Sequence, residues 1–216
     1  MNRRLFISSC LGLCAGAVVL PVALKWLSFE DDTIEMELNS GIVIIQLFSD
    51  IAPNHVARIK TLIQSKFYDG MPFTRVIDGF MAQTGEPLIN TQFDPCIMPK
   101  LAAEINHLPF ERGTIGMARS RNPHSACHQF FITSNRACYL DRNYTVVGKV
   151  TKGMERVDQL RRGNAELGTV VNPDVIKSMR WLLTVQCSPK SPKCLSQEWF
   201  SNAQYYCLYN RKPSAG

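Results

Sequence analysis

Phe73-Thr74-Arg75-Val76-Ile77-Asp78-Gly79-Phe80-Met81-Ala82-Gln83-Thr84-Gly85 sets a single cation among apolar residues, breaks at Asp78-Gly79, and resumes with bulky Phe80 and Met81 before polar Gln83. Phe73–Ile77 and Phe80–Gln83 read as two short β-type runs. In an extended strand Arg75 and Phe73 share one face, and Phe80 lies just past the Gly79 bend. An arginine and an amide fixed over Phe and Met side chains describe a pocket with an apolar floor and a few oriented donors, the usual form of a small-ligand site. Taken one at a time, the same residues read as barrel core and a snorkelling arginine.

Outward from that stretch the pattern stays β-rich. Ile34–Leu38 alternates apolar and polar, Asn39-Ser40-Gly41 is turn chemistry, and Ile42–Leu47 is β-branched, so the two runs form a hairpin. Pro53 suits a first helical turn, and Val56, Ile59, Leu62 and Ile63 share one face of a helix over Pro53–Ser65. Further short strands are expected at Thr114–Ala118, Gln129–Thr133 and Thr145–Val150. A second helix is expected at Gly153–Arg162 and a last strand at Val175–Val185. Many short strands with two helices indicate a closed or nearly closed antiparallel barrel rather than a βαβ sheet, since closure removes unpaired edges.

At 216 residues, 45% hydrophobic and 19% charged, the chain carries one domain with a proper core plus short appendages, which excludes wholesale disorder and a polytopic membrane protein. The net charge of +6 comes from scattered Lys and Arg, which reads as a solvated basic surface rather than a nucleic-acid interface. Eight cysteines and four histidines show no metal-ligand spacing, so no metal site is expected.

Both ends depart from the globular pattern. Arg3-Arg4 precede an uncharged run, Leu5–Leu24, long enough as a helix to reach across the hydrocarbon core of a bilayer, ~30 Å. A positive start followed by an apolar run is an export signal, and the positive-inside rule places the rest of the chain outside the cytoplasm. Its one A-x-A, Ala15-Gly16-Ala17, falls inside the apolar run, which favours an uncleaved inner-membrane anchor. The alternative is a cleaved signal and a soluble periplasmic or secreted protein. After Gln186 come Cys187, Cys194 and Cys207 with an aromatic cluster, Trp199 to Tyr209, an appendage too short for its own core without staples. A Cys187–Cys194 disulfide, or one to Cys207, fits an exported chain. The expected division is therefore an anchor over 1–28, a barrel domain over 29–186 and an extension over 187–216.

Three segments in order carry a family resemblance: Phe73–Gly85; Gly113-Thr114-Ile115-Gly116-Met117-Ala118-Arg119-Ser120 running through Ser125–His128 into Gln129-Phe130-Phe131-Ile132-Thr133; and Tyr139-Leu140-Asp141 leading to Val146–Val150. Over Ile34–Val185 the chain resembles the cyclophilins, peptidyl-prolyl cis-trans isomerases with an eight-stranded antiparallel barrel capped by two helices, and the Met-Ala-Arg-Ser wording looks bacterial. The resemblance implies a cofactor-free isomerase that binds Pro-containing polypeptides as a monomer and assists folding. It implies Arg75 as the catalytic cation. Phe80, Met81, Phe131 and Leu140 would be the proline-pocket wall, with Gln83 as its polar anchor. Ala118, Arg119, Ser120 and Gln129 would form the rim that holds the peptide backbone. Tyr139 and Tyr144 stand where many members have tryptophan and histidine, Thr74 replaces a frequent histidine and Thr84 a frequent glycine. These departures argue against tight cyclosporin binding.

Overall fold

A computed structural model describes residues 32–86 and 98–182. Eight strands are present: β1 Thr33–Leu38, β2 Gly41–Leu47, β3 Arg75–Ile77, β4 Met81–Thr84, β5 Thr114–Met117, β6 Phe130–Thr133, β7 Val146–Lys152 and β8 Ser178–Trp181. Helix α1 spans Pro53–Gln64 and α2 Met154–Val157. The strands form one antiparallel sheet in the order β3-β4-β6-β5-β7-β2-β1-β8.

The expected hairpin is present. Leu38 faces Gly41 across the turn, and Ile34, Met36 and Leu38 on β1 and Val43, Ile45 and Leu47 on β2 are buried, the every-second-residue pattern that a one-sided sheet requires. The sheet curls on itself. Residues leading into β8 bond to those leading into β3: Phe73 N–H donates to Asp174 O (2.9 Å), Ile176 N–H to Met71 O (2.9 Å) and Val170 N–H to Thr74 O (3.0 Å). Isolated bridges Pro72–Val175 and Arg75–Thr169 lie along this seam, but β3 and β8 share no continuous ladder. The architecture is a curled eight-stranded antiparallel sheet with two helices. The expected apolar N-terminal helix, and the cysteines and aromatics after residue 186, lie outside the described residues.

Several boundaries differ from expectation. The second helix is one turn long rather than reaching Arg162: the Leu160 N–H already turns to Val157 O (3.1 Å), and the Arg161 N–H donates to the Asp174 carboxylate (2.8 Å). The final strand starts at Ser178, three residues late. Phe73 and Arg75 do not share a face: the ladder to β4 begins only at Arg75, and Phe73 packs into the core, 1% exposed, while Arg75 is exposed.

Helix α1 buries His55, Val56, Ile59, Leu62 and Ile63 against that core. Its capping position holds Ala52, which has no side chain to satisfy the first amides. Glu104 does this from another loop: its carboxylate accepts from the N–H groups of Asn54 and His55 (both 3.0 Å) and meets His55 Nδ1 at 2.6 Å. Burial alone would raise this carboxyl, but the bonds from His55 and Asn54 outweigh it and hold it below the ordinary carboxylate range. Its stabilising effect is therefore complete above the unfolded carboxyl's pKa and lost as pH falls through the lower folded value. Glu104→Ala uncaps α1 and strands a fully buried imidazole. We expect a loss of about 2–4 kcal/mol of unfolding free energy, read by urea denaturation near neutral pH.

Candidate active site

The sheet register sorts residues onto two faces. Val76 pairs with Ala82, Ala82 with Ile132 and Ile132 with Ile115, and all four are buried in the main core. One residue along, Arg75 pairs with Gln83, Gln83 with Phe131 and Phe131 with Gly116. Directly paired residues project to the same side, so this second row stands on the opposite face from the core. There a second apolar cluster forms from Met81, Phe110, Phe131, Ala137, Leu140 and Val146, with Phe80, Ala118 and Tyr144 packed on it.

Over that cluster lies a cleft of about 630 Å³ lined by Arg75, Phe80, Met81, Gln83, Ala118, Arg119, Ser120, Gln129, Phe131, Leu140 and Tyr144, together with Met98, Lys100, Ser125, Cys127 and His128. Its size is that of a ligand site. Eleven of the twelve residues picked from sequence thus meet in one concavity. Tyr139 does not line it: the ring is 61% exposed and leans on Phe80 at 5.5 Å between centroids.

The polar groups are held, not loose. Arg75 Nε donates to the Leu167 carbonyl (2.9 Å), which leaves its remaining N–H groups unspent on the described residues. Gln83 Nε2 donates to Gln129 Oε1 (2.8 Å), fixing one amide with the other and keeping a second N–H available. Arg119 lays its guanidinium 4.4 Å from the centre of the Tyr144 ring and donates to the carbonyls of Ser120 (2.9 Å) and Asn143 (2.9 Å). It therefore ties the two rim loops together. The Tyr144 ring in turn stands edge-on to Phe131 (5.7 Å), which stacks on Phe110 (5.6 Å). Ser120 is spent on Ser125, whose Oγ accepts from both its N–H (2.9 Å) and its hydroxyl (2.8 Å).

Sequence reasoning missed the far wall. Ser125, Cys127 and His128 stand immediately before Gln129, and that adjacency was the available signal. His128 is 7% exposed, and its Nδ1 meets the Gly85 carbonyl at 2.8 Å. Gly85 has φ +96°, and a Cβ there would sit 2.7 Å from the His128 carbonyl oxygen, so only glycine fits against this wall. Burial pushes the His128 imidazole below its ordinary pKa, more than the Gly85 bond and Glu86 raise it. The unfolded chain then binds the proton more readily. Stability is complete above the unfolded histidine pKa, about 6.5, and falls as pH drops below it. Urea midpoints at pH about 7.5 and 5.5 should show a drop that His128→Asn diminishes.

The comparisons with known proteins agree with this geometry. The cyclophilin-type peptidyl-prolyl cis-trans isomerase family model matches residues 33–181. The chain is 44% identical over 184 residues to a Brucella suis protein named "Probable peptidyl-prolyl cis-trans isomerase", covering 79% of this chain and 94% of that one. It is 37% identical over 132 residues to a peptidyl-prolyl cis-trans isomerase of Acinetobacter baylyi, covering 59% of this chain and 70% of the other. The fold is similar to the crystal structure of the cyclophilin AquaCyp293 from Hirschia baltica, with TM-score 0.57 and 26% identity over 74% of this chain and 76% of that one. A Cryptosporidium parvum cyclophilin-type isomerase crystallised in the presence of the dipeptide Ala-Pro has the same fold, with TM-score 0.62 and 24% identity over 69% of this chain and 98% of that one. The chain belongs to the cyclophilin-type peptidyl-prolyl cis-trans isomerases.

Proposed function

We propose that the cleft turns X–Pro bonds of unfolded or proline-containing clients between cis and trans, with Arg75 as the catalytic group, and that it does so outside the cytoplasm. The observation that carries the chemistry is the single row Arg75–Gln83–Phe131, a cation and an amide over an aromatic floor. An X–Pro bond resists rotation because its nitrogen lone pair is conjugated with the carbonyl; the barrier is ~18–20 kcal/mol. The two planar forms differ by only about 0.5–1 kcal/mol, yet exchange takes tens to hundreds of seconds.

No bond must break. A catalyst needs only to favour the twisted amide over both planar forms. On twisting, the nitrogen pyramidalises and regains its lone pair. A guanidinium N–H aimed there bonds more strongly as conjugation fades, and an always-charged planar donor suits that role. Phe80, Met81, Phe131 and Leu140 grip the pyrrolidine ring and exclude water that would weaken this bond. The free N–H of Gln83 and the backbone beside Arg119 hold the carbonyl side. Lowering the barrier by ~5–7 kcal/mol gives roughly 10⁴–10⁵-fold acceleration.

The test is turnover of a proline-switch peptide by residues 29–216. Acceleration supports the reading, whereas binding of the peptide with no acceleration makes the domain a proline-loop holder and overturns it.

Export rests on Arg3-Arg4 followed by the uncharged Leu5–Leu24 run, which supports an uncleaved anchor in the inner membrane. Among the described residues no helix is long and apolar enough to cross a membrane. Intact mass of the membrane fraction decides between anchor and cleaved signal: a full-length mass there supports the anchor.

A further inference from the structure

The cleft has two ends. One gathers Arg75, Phe80, Met81, Gln83, Phe131 and Leu140. At the other, Lys100 stands with Met98, Ser125, Cys127 and His128. The backbone on both sides of Lys100 is pinned. Arg58 of α1 donates to the carbonyls of Pro99 (3.0 Å) and Cys127 (3.3 Å), and the Leu101 N–H donates to Ala126 O (2.8 Å). The lysine therefore springs from a fixed base, with the half-buried Arg58 cation behind it.

The charge that lines the cleft is one-sided. Its lining includes Arg75, Lys100 and Arg119 and no Asp or Glu. Arg121 and Arg142 are exposed and adjoin the lining residues Ser120 and Leu140–Tyr144. Among the described residues Lys100, Arg119, Arg121 and Arg142 form no ion pair. Of the neighbouring carboxylates, Asp78 is engaged with Arg162 (2.6 Å), Asp141 with Arg136 and Glu104 with His55 (2.6 Å), while Glu86, whose charge acts on His128, enters no ion pair among the described residues. Arg119 spends its Nη groups on backbone carbonyls, which leaves Lys100 as the exposed lining cation at the far end.

We propose that this end of the cleft, through Lys100, selects client segments carrying an Asp or Glu side chain within about three residues of the proline. The inference rests on the isomerase reading above and adds a substrate class to it. A carboxylate meeting this exposed ammonium is worth about a few-fold in kcat/KM, and screening shortens its reach as salt rises.

The experiment uses alanine-based proline peptides with one Glu, Gln or Lys at each of the three positions before and after proline. Values of kcat/KM are measured at low (~0.02 M) and high (~0.3 M) salt. At one position or more, Glu should exceed Lys by about 3–10-fold at low salt and by less at high salt. Lys100→Glu should abolish or invert that ratio, whereas Lys152→Glu, the same charge change outside the cleft, should keep it. Ratios within about twofold at every position overturn the proposal, as does a preference that survives Lys100→Glu. If the Gln peptides are turned over but the ratios are flat, only the acidic selection fails. If no peptide is turned over, the isomerase reading fails with it.

Discussion

We expect Arg75→Ala to lower kcat/KM for proline isomerisation by about 10²–10³-fold, the effect of deleting one donor aimed at a transition state. The fold survives, because Arg75 is exposed and its side chain holds one bond, to the Leu167 carbonyl. Loss of such a bond changes stability by about 1 kcal/mol. The comparison with Arg75→Lys separates charge from shape: an ammonium keeps the charge but lacks the planar fork, so it recovers only part of the rate. The decisive readings are kcat/KM in a proline-switch assay and the thermal melting curve of the same samples. An alanine variant as active as the wild type removes Arg75 from the mechanism.

Gly116→Ala is the second large effect, and it acts from inside. A Cβ at residue 116 would lie 2.5 Å from Phe131 Cζ and 2.6 Å from Phe110 Cε1. Both rings are buried and stacked on one another, so neither yields easily. Overpacking of this kind costs about 1–3 kcal/mol. Because Phe131 is also the cleft floor, its displacement should lower kcat/KM about tenfold or more even where the protein stays folded. The checks are denaturation for the stability loss and single-peptide kinetics under conditions where the variant is fully native. A variant that loses stability but keeps full kcat/KM would mean that the Phe131 position does not set the rate.

Much of this was legible in the residues. Period-two patterning located the β1–β2 hairpin, and the apolar stripe Val56, Ile59, Leu62 and Ile63 located α1, because each element buries one face and the sequence records which one. The cleft residues were legible through the family resemblance, not through spacing, since an exposed arginine and a buried phenylalanine carry no mark of the cleft they share. Facing was misjudged at Phe73 because alternation holds only along a continuous ladder, and the ladder to β4 begins at Arg75. The far wall escaped because Met98 and Lys100 reach the cleft through contacts distant in sequence, Leu101 to Ala126 and Arg58 to Pro99. Helix α1 likewise gave no hint that its missing cap is supplied by Glu104, 52 positions beyond Ala52.

The row Arg75–Gln83–Phe131–Gly116 runs along the same backbone ladders that carry Val76, Ala82, Ile132 and Ile115 on the inner side. The central row of the cleft is thus the outer face of the sheet's own ladders. A catalyst whose central row is part of the sheet should keep its power until the sheet itself unfolds. Tyr139 and Tyr144 stand outside those ladders, so an exchange at either position leaves the frame untouched.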